Sequence, residues 1–242
     1  MKRLFKRVLT RAGIYYAKRQ YMPCGIDWLW DIQRVARGRR VRTVFDVGAN
    51  VGQTTLATKE RFAGAVVHAF EPVKATYLSL EQNVAHLAGV TCHRLALSDS
   101  VGVAAMTSET NSQLNRFVDA ATASSPSSAV EEVATETVDH FCHTLQIQCI
   151  DILKVDAEGA DLLVLDGAKA MLRSGQIAFV LVEVGFKAGD SGHVPFLEIH
   201  EFLRSAGLGI YGLYDYYHIE DGRQLLFANA LFISPAAIDR MR

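Results

Sequence analysis

From Val41 onward, short apolar segments alternate with longer segments whose apolar residues recur at helical spacing. The apolar segments are VRTVFDV, AVVHAFE, VTCHRLAL, IDILKVD and IAFVLVEV. Between them lie the helical segments TTLATKERF, KATYLSLEQNVAHL and ADLLVLDGAKAML. Strands that alternate with helices of about 10–15 residues are typical of βαβ units. We therefore expect an α/β domain with buried parallel strands and helices on both faces of the sheet.

Residues 102–137 interrupt this alternation. The segment GVAAMTSE predicts a β-hairpin arm, and DAATASSPSSAVEE, rich in Ala, Ser and Thr, predicts a mobile surface loop. Whether that loop covers a site is left open. After a helix over PFLEIHEFLRSAG, the segments IYGLYDYYHI and LLFANALFIS predict a terminal β-hairpin around Asp221–Gly222.

The first 40 residues differ from the rest in charge. Residues 1–42 contain 12 basic and 2 acidic residues, a net charge of +10, whereas residues 43–242 contain 13 basic and 24 acidic residues, a net charge of −11. Apolar residues recur at near-helical spacing within the first 20, so residues 1–40 are predicted to be a basic helical segment and residues 41–242 one domain. Such a helix packs on the domain or contacts an anionic membrane surface, and the sequence leaves both open.

Composition excludes several classes of protein. Hydrophobic residues make up 50% of the chain, too many for an intrinsically disordered protein. No apolar stretch reaches the ~18 residues of a membrane-spanning helix, and no secretory signal peptide is expected. Four cysteines without a close C-x-x-C pair predict reduced thiols and a cytoplasmic protein. The acidic main domain predicts no nucleic-acid partner, and the oligomeric state stays open.

The segment Asp46-Val47-Gly48-Ala49-Asn50-Val51-Gly52 lies between a predicted strand and a predicted helix. Its glycines allow a sharp turn close to a ligand, and the helix N-terminus offers N–H donors. The segment lacks the G-x-G-x-x-G pattern of dinucleotide-binding loops. Because Asp46 comes two residues before the first glycine, the segment favours a cationic ligand. S-adenosylmethionine, with its sulfonium and amino groups, fits that charge.

Glu71 ends the second predicted strand, 25 residues after Asp46, and Pro72 closes that strand. A carboxylate at this place can accept hydrogen bonds from both hydroxyls of a ribose, as in doubly wound nucleotide-binding folds. The succession of a strand, D-x-G-x-N-x-G, a helix and a strand that ends in Glu-Pro is more specific than a glycine-rich turn. It predicts a nucleoside-binding site.

The segments DVGANVGQTT, AFEP, LALSD, TVDHF and above all ILKVDAEGADLLVLDGA resemble the FkbM-type methyltransferases, a branch of the class I S-adenosylmethionine-dependent enzymes. The resemblance covers roughly residues 40–235. It implies a Rossmann-like fold with a seven-stranded, mostly parallel sheet whose last strand is antiparallel. It also implies O-methylation of a small or glycan-type acceptor, such as a sugar, a glycolipid or a polyketide-like molecule. The implied cofactor is S-adenosyl-L-methionine, bound by Asp46, Gly48, Ala49, Asn50, Gly52 and Glu71.

The end of the third predicted strand departs from the pattern of related enzymes. Many of those enzymes have an Asp there that faces the adenine, whereas this sequence has Ala96 and Leu97. The backbone of Leu97 and the side chain of Asp99 are therefore the candidates for adenine recognition.

Three carboxylates, Asp156, Glu158 and Glu183, are the candidate catalytic residues. Each lies at or just after the carboxyl end of a predicted strand, where open α/β sheets bind ligands. Methyl transfer is helped by alignment and, for a weakly nucleophilic hydroxyl, by a nearby base. Each carboxylate can be that base or bind acceptor hydroxyls. Asp156 can instead form a structural ion pair with Lys154.

No metal site is expected, because a zinc site needs about four ligands and His140 and His143 have no second cluster. His193 is expected to be an exposed loop histidine, with a role as a base left open as the alternative. Two alternatives to an O-methyltransferase remain at this stage. One is an RNA methyltransferase that holds phosphate with the basic N-terminal segment. The other is a non-catalytic protein that binds a partner through the cofactor fold.

Overall fold

The computed structural model describes residues 21–108, 129–190, 192–219 and 222–241. The predicted helix within residues 1–20 and most of the predicted mobile loop lie outside the described residues. The described elements, in chain order, are α1 Trp28–Val35, β1 Thr43–Val47, α2 Gln53–Arg61, β2 Val66–Phe70, α3 Lys74–Val84, β3 Val90–His93, β4 Ala96–Leu97, β5 Gly102–Ser108, β6 Ala129–Glu136, α4 Val138–Thr144, β7 Ile150–Val155, α5 Asp161–Asp166, α6 Lys169–Arg173, β8 Ile177–Gly185, α7 Phe196–Ser205, β9 Gly209–His218, β10 Leu225–Ile233 and α8 Pro235–Arg240.

Seven of these strands form one sheet in the order β3-β2-β1-β7-β8-β10-β9. The first five strands in this order pair in parallel. β10 is antiparallel to both of its neighbours, β8 and β9. The predicted seven-stranded, mostly parallel sheet with an antiparallel last strand is therefore confirmed, and so is the predicted hairpin of β9 and β10.

The central strands of the sheet are buried on both faces because they are apolar at most successive positions. All six residues of β7 are buried, and neighbouring residues of this strand point to opposite faces. Leu153 packs in a core cluster with residues of α4, α5, α6 and α7. Ile152 packs in a second cluster with residues of α1 and α8. This three-layer arrangement leaves the carboxyl ends of the parallel strands as the edge at which a ligand can be bound.

The third predicted strand, VTCHRLAL, is wrong as a single element. Val90–His93 pairs with β2 in the large sheet, whereas Ala96–Leu97 pairs with β6 in a separate three-stranded sheet of order β4-β6-β5. The hairpin arm is confirmed, because β5 and β6 pair in antiparallel register. The loop predicted over DAATASSPSSAVEE is wrong for its last four residues, since β6 begins at Ala129 and the low apolar content there hid a strand.

The segment ADLLVLDGAKAML forms two short helices, α5 and α6, where the sequence predicts one. The break occurs at Gly167. A Cβ atom there would lie 2.0 Å from the carbonyl oxygen of Ser98, so the backbone comes against the residue that follows the small sheet. The close approach explains why glycine stands at this position.

Helices α1 and α8 pack against the same face of the sheet. Tyr214 of β9 is completely buried and donates a 2.8 Å hydrogen bond from its hydroxyl to Asp31 of α1. Asp31 also accepts a 2.8 Å bond from the backbone N–H of Gly25. These bonds fix the position of the chain segment that precedes β1.

Among the described residues, no helix has the length and apolar character needed to cross a membrane. The boundary predicted between residues 40 and 41 stays a prediction.

Replacing Tyr214 by Phe should destabilise the protein, because the buried Asp31 carboxylate loses a hydrogen bond. The expected loss in the free energy of unfolding is about 1.5–3 kcal/mol, measured by urea denaturation. Tyr216→Phe is the matched control, since the hydroxyl of Tyr216 donates to Leu213 on the exposed side of the same strand. Equal stability of the two variants would contradict a tethering role for Tyr214.

Candidate active site

A cavity of about 520 Å³ opens at the carboxyl ends of β1, β2, β7 and β8. The N-terminus of α2, the small sheet and the loop between β8 and α7 also contribute to its wall. Its polar lining includes Asn50, Gln53, Thr54, Glu71, Lys154, Asp156, Glu158, Glu183 and His193. The cavity therefore lies where the topology of an open α/β sheet predicts a ligand.

The loop between β1 and α2 turns through three left-handed residues: Gly48 at φ 69°, Asn50 at φ 50° and Gly52 at φ 97°. A Cβ atom on Gly48 would lie 1.8 Å from the carbonyl oxygen of Asp156, so the ends of β1 and β7 can approach this closely because position 48 is glycine. Gly48, Ala49 and Asn50 line the cavity, whereas Gly52 lies against α3.

Asp46 supports this loop from behind. Its side chain is buried, and its carboxylate accepts a 2.7 Å hydrogen bond from the Thr55 hydroxyl. The Lys154 ammonium lies 3.6 Å from Asp46 and 3.1 Å from Asp156, and it donates to the carbonyl oxygen of Gly48 at 3.1 Å. Burial lowers the pKa of Lys154, but the two carboxylates outweigh burial and raise it overall. The ammonium is thus charged and joins β1 to β7.

Glu71 faces the cavity from the end of β2 and is 7% exposed. Its carboxylate oxygens accept hydrogen bonds from the backbone N–H groups of Asn50, at 3.2 Å, and Val73, at 3.0 Å. Burial raises the pKa of Glu71 to about 7, although these two donors oppose the shift. Each carboxylate oxygen has a second lone pair, so Glu71 can still accept hydrogen bonds from vicinal hydroxyls.

An apolar wall adjoins Glu71 in the cavity. It consists of Phe70, Leu95, Ala96, Leu97 and Met106. Because Met106 belongs to β5, the hairpin arm is part of the wall and does not merely extend from the domain. An apolar surface beside a hydroxyl-binding carboxylate suits the base and the ribose of a nucleoside.

The three predicted catalytic carboxylates, Asp156, Glu158 and Glu183, all line this same cavity. Asp156 is held by Lys154, yet its side chain is 34% exposed, so it both forms the ion pair and faces the cavity. Burial, followed by the charges of Asp156 and Glu183, raises the pKa of Glu158 to about 7. A carboxylate that titrates near neutrality is suited to accept a proton from a hydroxyl.

Glu158 is held in a left-handed conformation, with φ 48°. Such a conformation costs a non-glycine residue of order 1–3 kcal/mol and persists where its surroundings enforce it. Here Asp161, at the start of α5, accepts backbone hydrogen bonds from Ala157 at 2.9 Å and from Gly159 at 3.3 Å. Burial raises the pKa of Asp161 to about 6. The sequence Asp-Ala-Glu-Gly-Ala-Asp thus folds into a turn that points Glu158 at the cavity.

His193 is a site residue, and the expectation that it is an exposed loop histidine is wrong. Its side chain is 15% exposed and lies 2.6 Å from Asp190 and 3.3 Å from Glu183. It lies in the loop that connects the end of β8 to Pro195, before α7. The sequence contains one signal that could have placed His193 at the cavity. This residue lies between a strand end that bears a candidate carboxylate and the start of a helix.

The remaining predicted residues have different positions. Leu97 lines the cavity, whereas Asp99 lies outside the lining and accepts hydrogen bonds from the hydroxyls of Ser98, at 3.3 Å, and Ser100, at 3.0 Å. Sequence reasoning missed Phe227, which lines the cavity from β10. No pattern in the sequence shows which face of an antiparallel strand meets a site built by the parallel ones.

Within residues 21–108, 129–190, 192–219 and 222–241, no group of three or more His, Cys, Asp or Glu side chains is arranged to hold a metal ion. The side chains that line the cavity fit S-adenosylmethionine. Glu71 can accept hydrogen bonds from the ribose hydroxyls, the apolar wall suits the adenine base, and the carboxylates of Asp156 and Glu158 suit cationic groups.

Comparison with known proteins identifies a family over most of the chain. Residues 46–208 match the family model of the methyltransferase FkbM domain. The 31-O-demethyl-FK506 methyltransferase FkbM of Streptomyces tacrolimicus is 42% identical over 65 residues, which are 26% of this chain and 25% of that protein. The match thus spans about a quarter of the length of that relative.

Solved structures of methyltransferases are among the proteins that are similar to this chain. One is TrmK of M. capricolum with S-adenosyl-homocysteine, with a TM-score of 0.47, 10% identity, and coverage of 84% of this chain and 67% of that chain. Another is a putative rRNA-methylase from Clostridium thermocellum, with a TM-score of 0.48, 10% identity, and coverage of 88% and 97%. At this level of similarity, neither structure carries a conclusion about substrate.

Replacing Lys154 by Met should strongly destabilise the protein, because the buried Asp46 loses its cationic partner. Breaking a buried pair in this way typically costs about 3–5 kcal/mol, which chemical denaturation would measure. Adding Asp46→Asn to this variant should recover part of the loss. The control is Lys169→Met, which removes an exposed ion pair with Asp166 and should cost less than about 1 kcal/mol. A Lys154→Met protein as stable as this control would contradict the role of Lys154.

Proposed function

The chain belongs to the FkbM methyltransferase family, and on this premise we propose that it is an S-adenosyl-L-methionine-dependent O-methyltransferase. The proposed acceptor is a hydroxyl on a small or glycan-type molecule, such as a sugar, a glycolipid or a polyketide-like compound. The observation that carries the proposal is a single cavity in which Glu71 and an apolar wall meet Asp156, Glu158 and Glu183.

The cofactor half of the proposal depends on Glu71 and the loop after β1. Glu71 would accept hydrogen bonds from the ribose hydroxyls, and the apolar wall, which includes Leu97, would contact the adenine. The left-handed turn at Gly48 and Asn50 brings the backbone and the N-terminus of α2 to the cavity. When bound, S-adenosylmethionine supplies a methyl group activated by the adjacent sulfonium. Asp46 acts at one remove, through Lys154 and the loop.

The acceptor half depends on the three carboxylates. Glu158 takes the proton of the acceptor hydroxyl, since its pKa of about 7 leaves it part ionised at neutral pH. Asp156 and Glu183 accept hydrogen bonds from the acceptor and orient it, because Lys154 and His193 hold their side chains in place. Alignment of this kind can remove a large part of the barrier to an in-line displacement.

The charge of the cavity supports a small hydroxylated acceptor over RNA. Four carboxylates line the cavity, those of Glu71, Asp156, Glu158 and Glu183, while Lys154 and His193 already contact carboxylates of the protein. A phosphodiester would thus meet like charge, which disfavours association.

A cytoplasmic setting, in which the basic N-terminal segment contacts an anionic membrane surface, is part of the same proposal.

The proposal is tested by incubating the protein with isotopically labelled S-adenosylmethionine and a metabolite extract of the host. Mass spectrometry should detect a small product that carries the labelled methyl group on oxygen. Label found in RNA, or on nitrogen, would overturn the assignment of the acceptor.

Glu71→Ala should weaken binding of S-adenosylhomocysteine in isothermal titration calorimetry. Loss of a charged acceptor of ribose hydroxyls typically costs about 1.5–3 kcal/mol, which corresponds to roughly a 10- to 150-fold loss in affinity. Glu81→Gln, on α3 and outside the cavity lining, is the control and should bind normally. Unchanged affinity in a folded Glu71→Ala protein would exclude Glu71 as the ribose ligand.

Glu158→Gln retains the shape of the side chain but removes the base, so turnover should fall about 10²–10⁴-fold while S-adenosylhomocysteine affinity changes little. In the unsubstituted enzyme, kcat/KM should rise with pH through about 7, because Glu158 accepts a proton only after it has ionised. This rise should vanish in the variant. Full turnover by Glu158→Gln would transfer the role of base to Asp156 or Glu183.

We further propose that the transfer requires no metal ion. Activity on the acceptor should then survive prior treatment with a chelator, as measured with the same labelled cofactor. Loss of activity that added magnesium restores would contradict this proposal and would make Asp156 a candidate ligand.

A further inference from the structure

The imidazole of His193 lies between two carboxylates. Its Nδ1 is 2.6 Å from Oδ2 of Asp190, and its Nε2 is 3.3 Å from Oε2 of Glu183. A neutral imidazole carries a proton on one nitrogen and a lone pair on the other. Since both nitrogens face carboxylate oxygens, the ring must donate from both, so it is an imidazolium. The hydrogen bond to Glu183, followed by that to Asp190, raises the pKa of His193 to about 9 despite partial burial.

The packing around His193 fixes the ring in this place. It stacks on Phe227 of β10 with a centroid distance of 4.4 Å, and Phe227 stacks in turn on Tyr217 at 4.9 Å. The loop that bears His193 is closed by a 2.9 Å hydrogen bond from the backbone N–H of Gly192 to Asp190. A Cβ atom on Gly185 would lie 3.1 Å from Cβ of His193, so the end of β8 packs closely against this residue.

Extending the proposed function to this residue, we propose that His193 is a positioning residue of the acceptor site, whose positive charge holds the Glu183 carboxylate in place at 3.3 Å and acts on Glu158 in the same cavity.

The argument for this role follows from the charges around Glu158. The groups that act on it are Asp156 and Asp161 from the turn after β7, Glu183 from β8, and His193 from the following loop. The three carboxylates raise its pKa, whereas His193 lowers it. Without the imidazolium, Glu158 would face the charge of Glu183 without compensation, and a smaller fraction of Glu158 would be ionised at neutral pH.

A purely structural role for His193 makes a different prediction. If the histidine merely anchored its loop, substitution would lower the melting temperature and leave the titration of Glu158 unchanged. The titration of Glu158 therefore separates positioning from anchoring, and it can be followed without knowledge of the acceptor.

The experiment uses the full chain, isotopically labelled and saturated with S-adenosylhomocysteine. Nuclear magnetic resonance follows the ring nitrogens of His193 and the side-chain carboxyl carbon of Glu158 between pH 5 and pH 10. His193 should stay doubly protonated up to about pH 9, and Glu158 should titrate near pH 7. In His193→Gln, the midpoint of Glu158 should move up by about one pH unit. His200→Gln, on α7 and outside the cavity lining, should move neither midpoint.

Two outcomes would overturn the inference. One is a His193 ring that titrates near the ordinary value of 6.5, and the other is an unmoved Glu158 midpoint in folded His193→Gln. If that variant does not fold, Asp190→Asn and Glu183→Gln serve in its place, since each removes one carboxylate and must lower the midpoint of His193. Failure to bind S-adenosylhomocysteine would refute the proposed function separately, and the titrations would then be made on the protein without it.

Discussion

The geometry of the site depends on the contacts of the buried Lys154 ammonium. It lies in the interior, where an unpaired charge would be strongly unfavourable, and it is stabilised by Asp46, Asp156 and the carbonyl oxygen of Gly48. These partners come from β1, from the loop after β1 and from the end of β7. One cation thereby fixes the distance between the loop after β1 and the carboxylate of Asp156. The close contact of Gly48 with Asp156 fixes the same distance sterically.

Left-handed residues shape two of the turns beside the cavity. Gly48, Asn50 and Gly52 shape the loop after β1, and Glu158 and Gly159 shape the turn after β7. Asn50 and Glu158 have side chains although their backbone is left-handed, a conformation that favours glycine. A carboxylate stabilises each turn by accepting backbone hydrogen bonds, Glu71 for the turn of Asn50 and Asp161 for the turn of Glu158. Glu71 thus has two functions, since it presents charge to the cavity and holds strained backbone in place, whereas Asp161 holds strained backbone from outside the cavity lining.

The sequence predicted well those features that local pattern determines. The order of strands and helices and the acidic residues at strand ends are set by local periodicity and by the positions of Gly and Pro, and the structure brings Glu71, Asp156, Glu158 and Glu183 into one cavity. Prediction failed where distant contacts decide. Whether Leu97 pairs in the large or the small sheet depends on its partner Glu136 in β6, 39 residues later. The burial of His193 depends on Phe227, and the direction of Asp46 depends on Lys154. Each of these is a pairing between residues that no short window of sequence contains.

The two halves of the cavity are built from separate stretches of chain, and this has an evolutionary consequence. The wall near Glu71 comes mainly from residues 47–97, whereas the carboxylates, His193 and Phe227 come from residues 154–227. Substitutions in the loop after β8 or on β10 can therefore reshape one half of the cavity without altering the residues around Glu71. Under the proposed function, such a division would let the acceptor change during evolution while the donor chemistry is inherited unchanged.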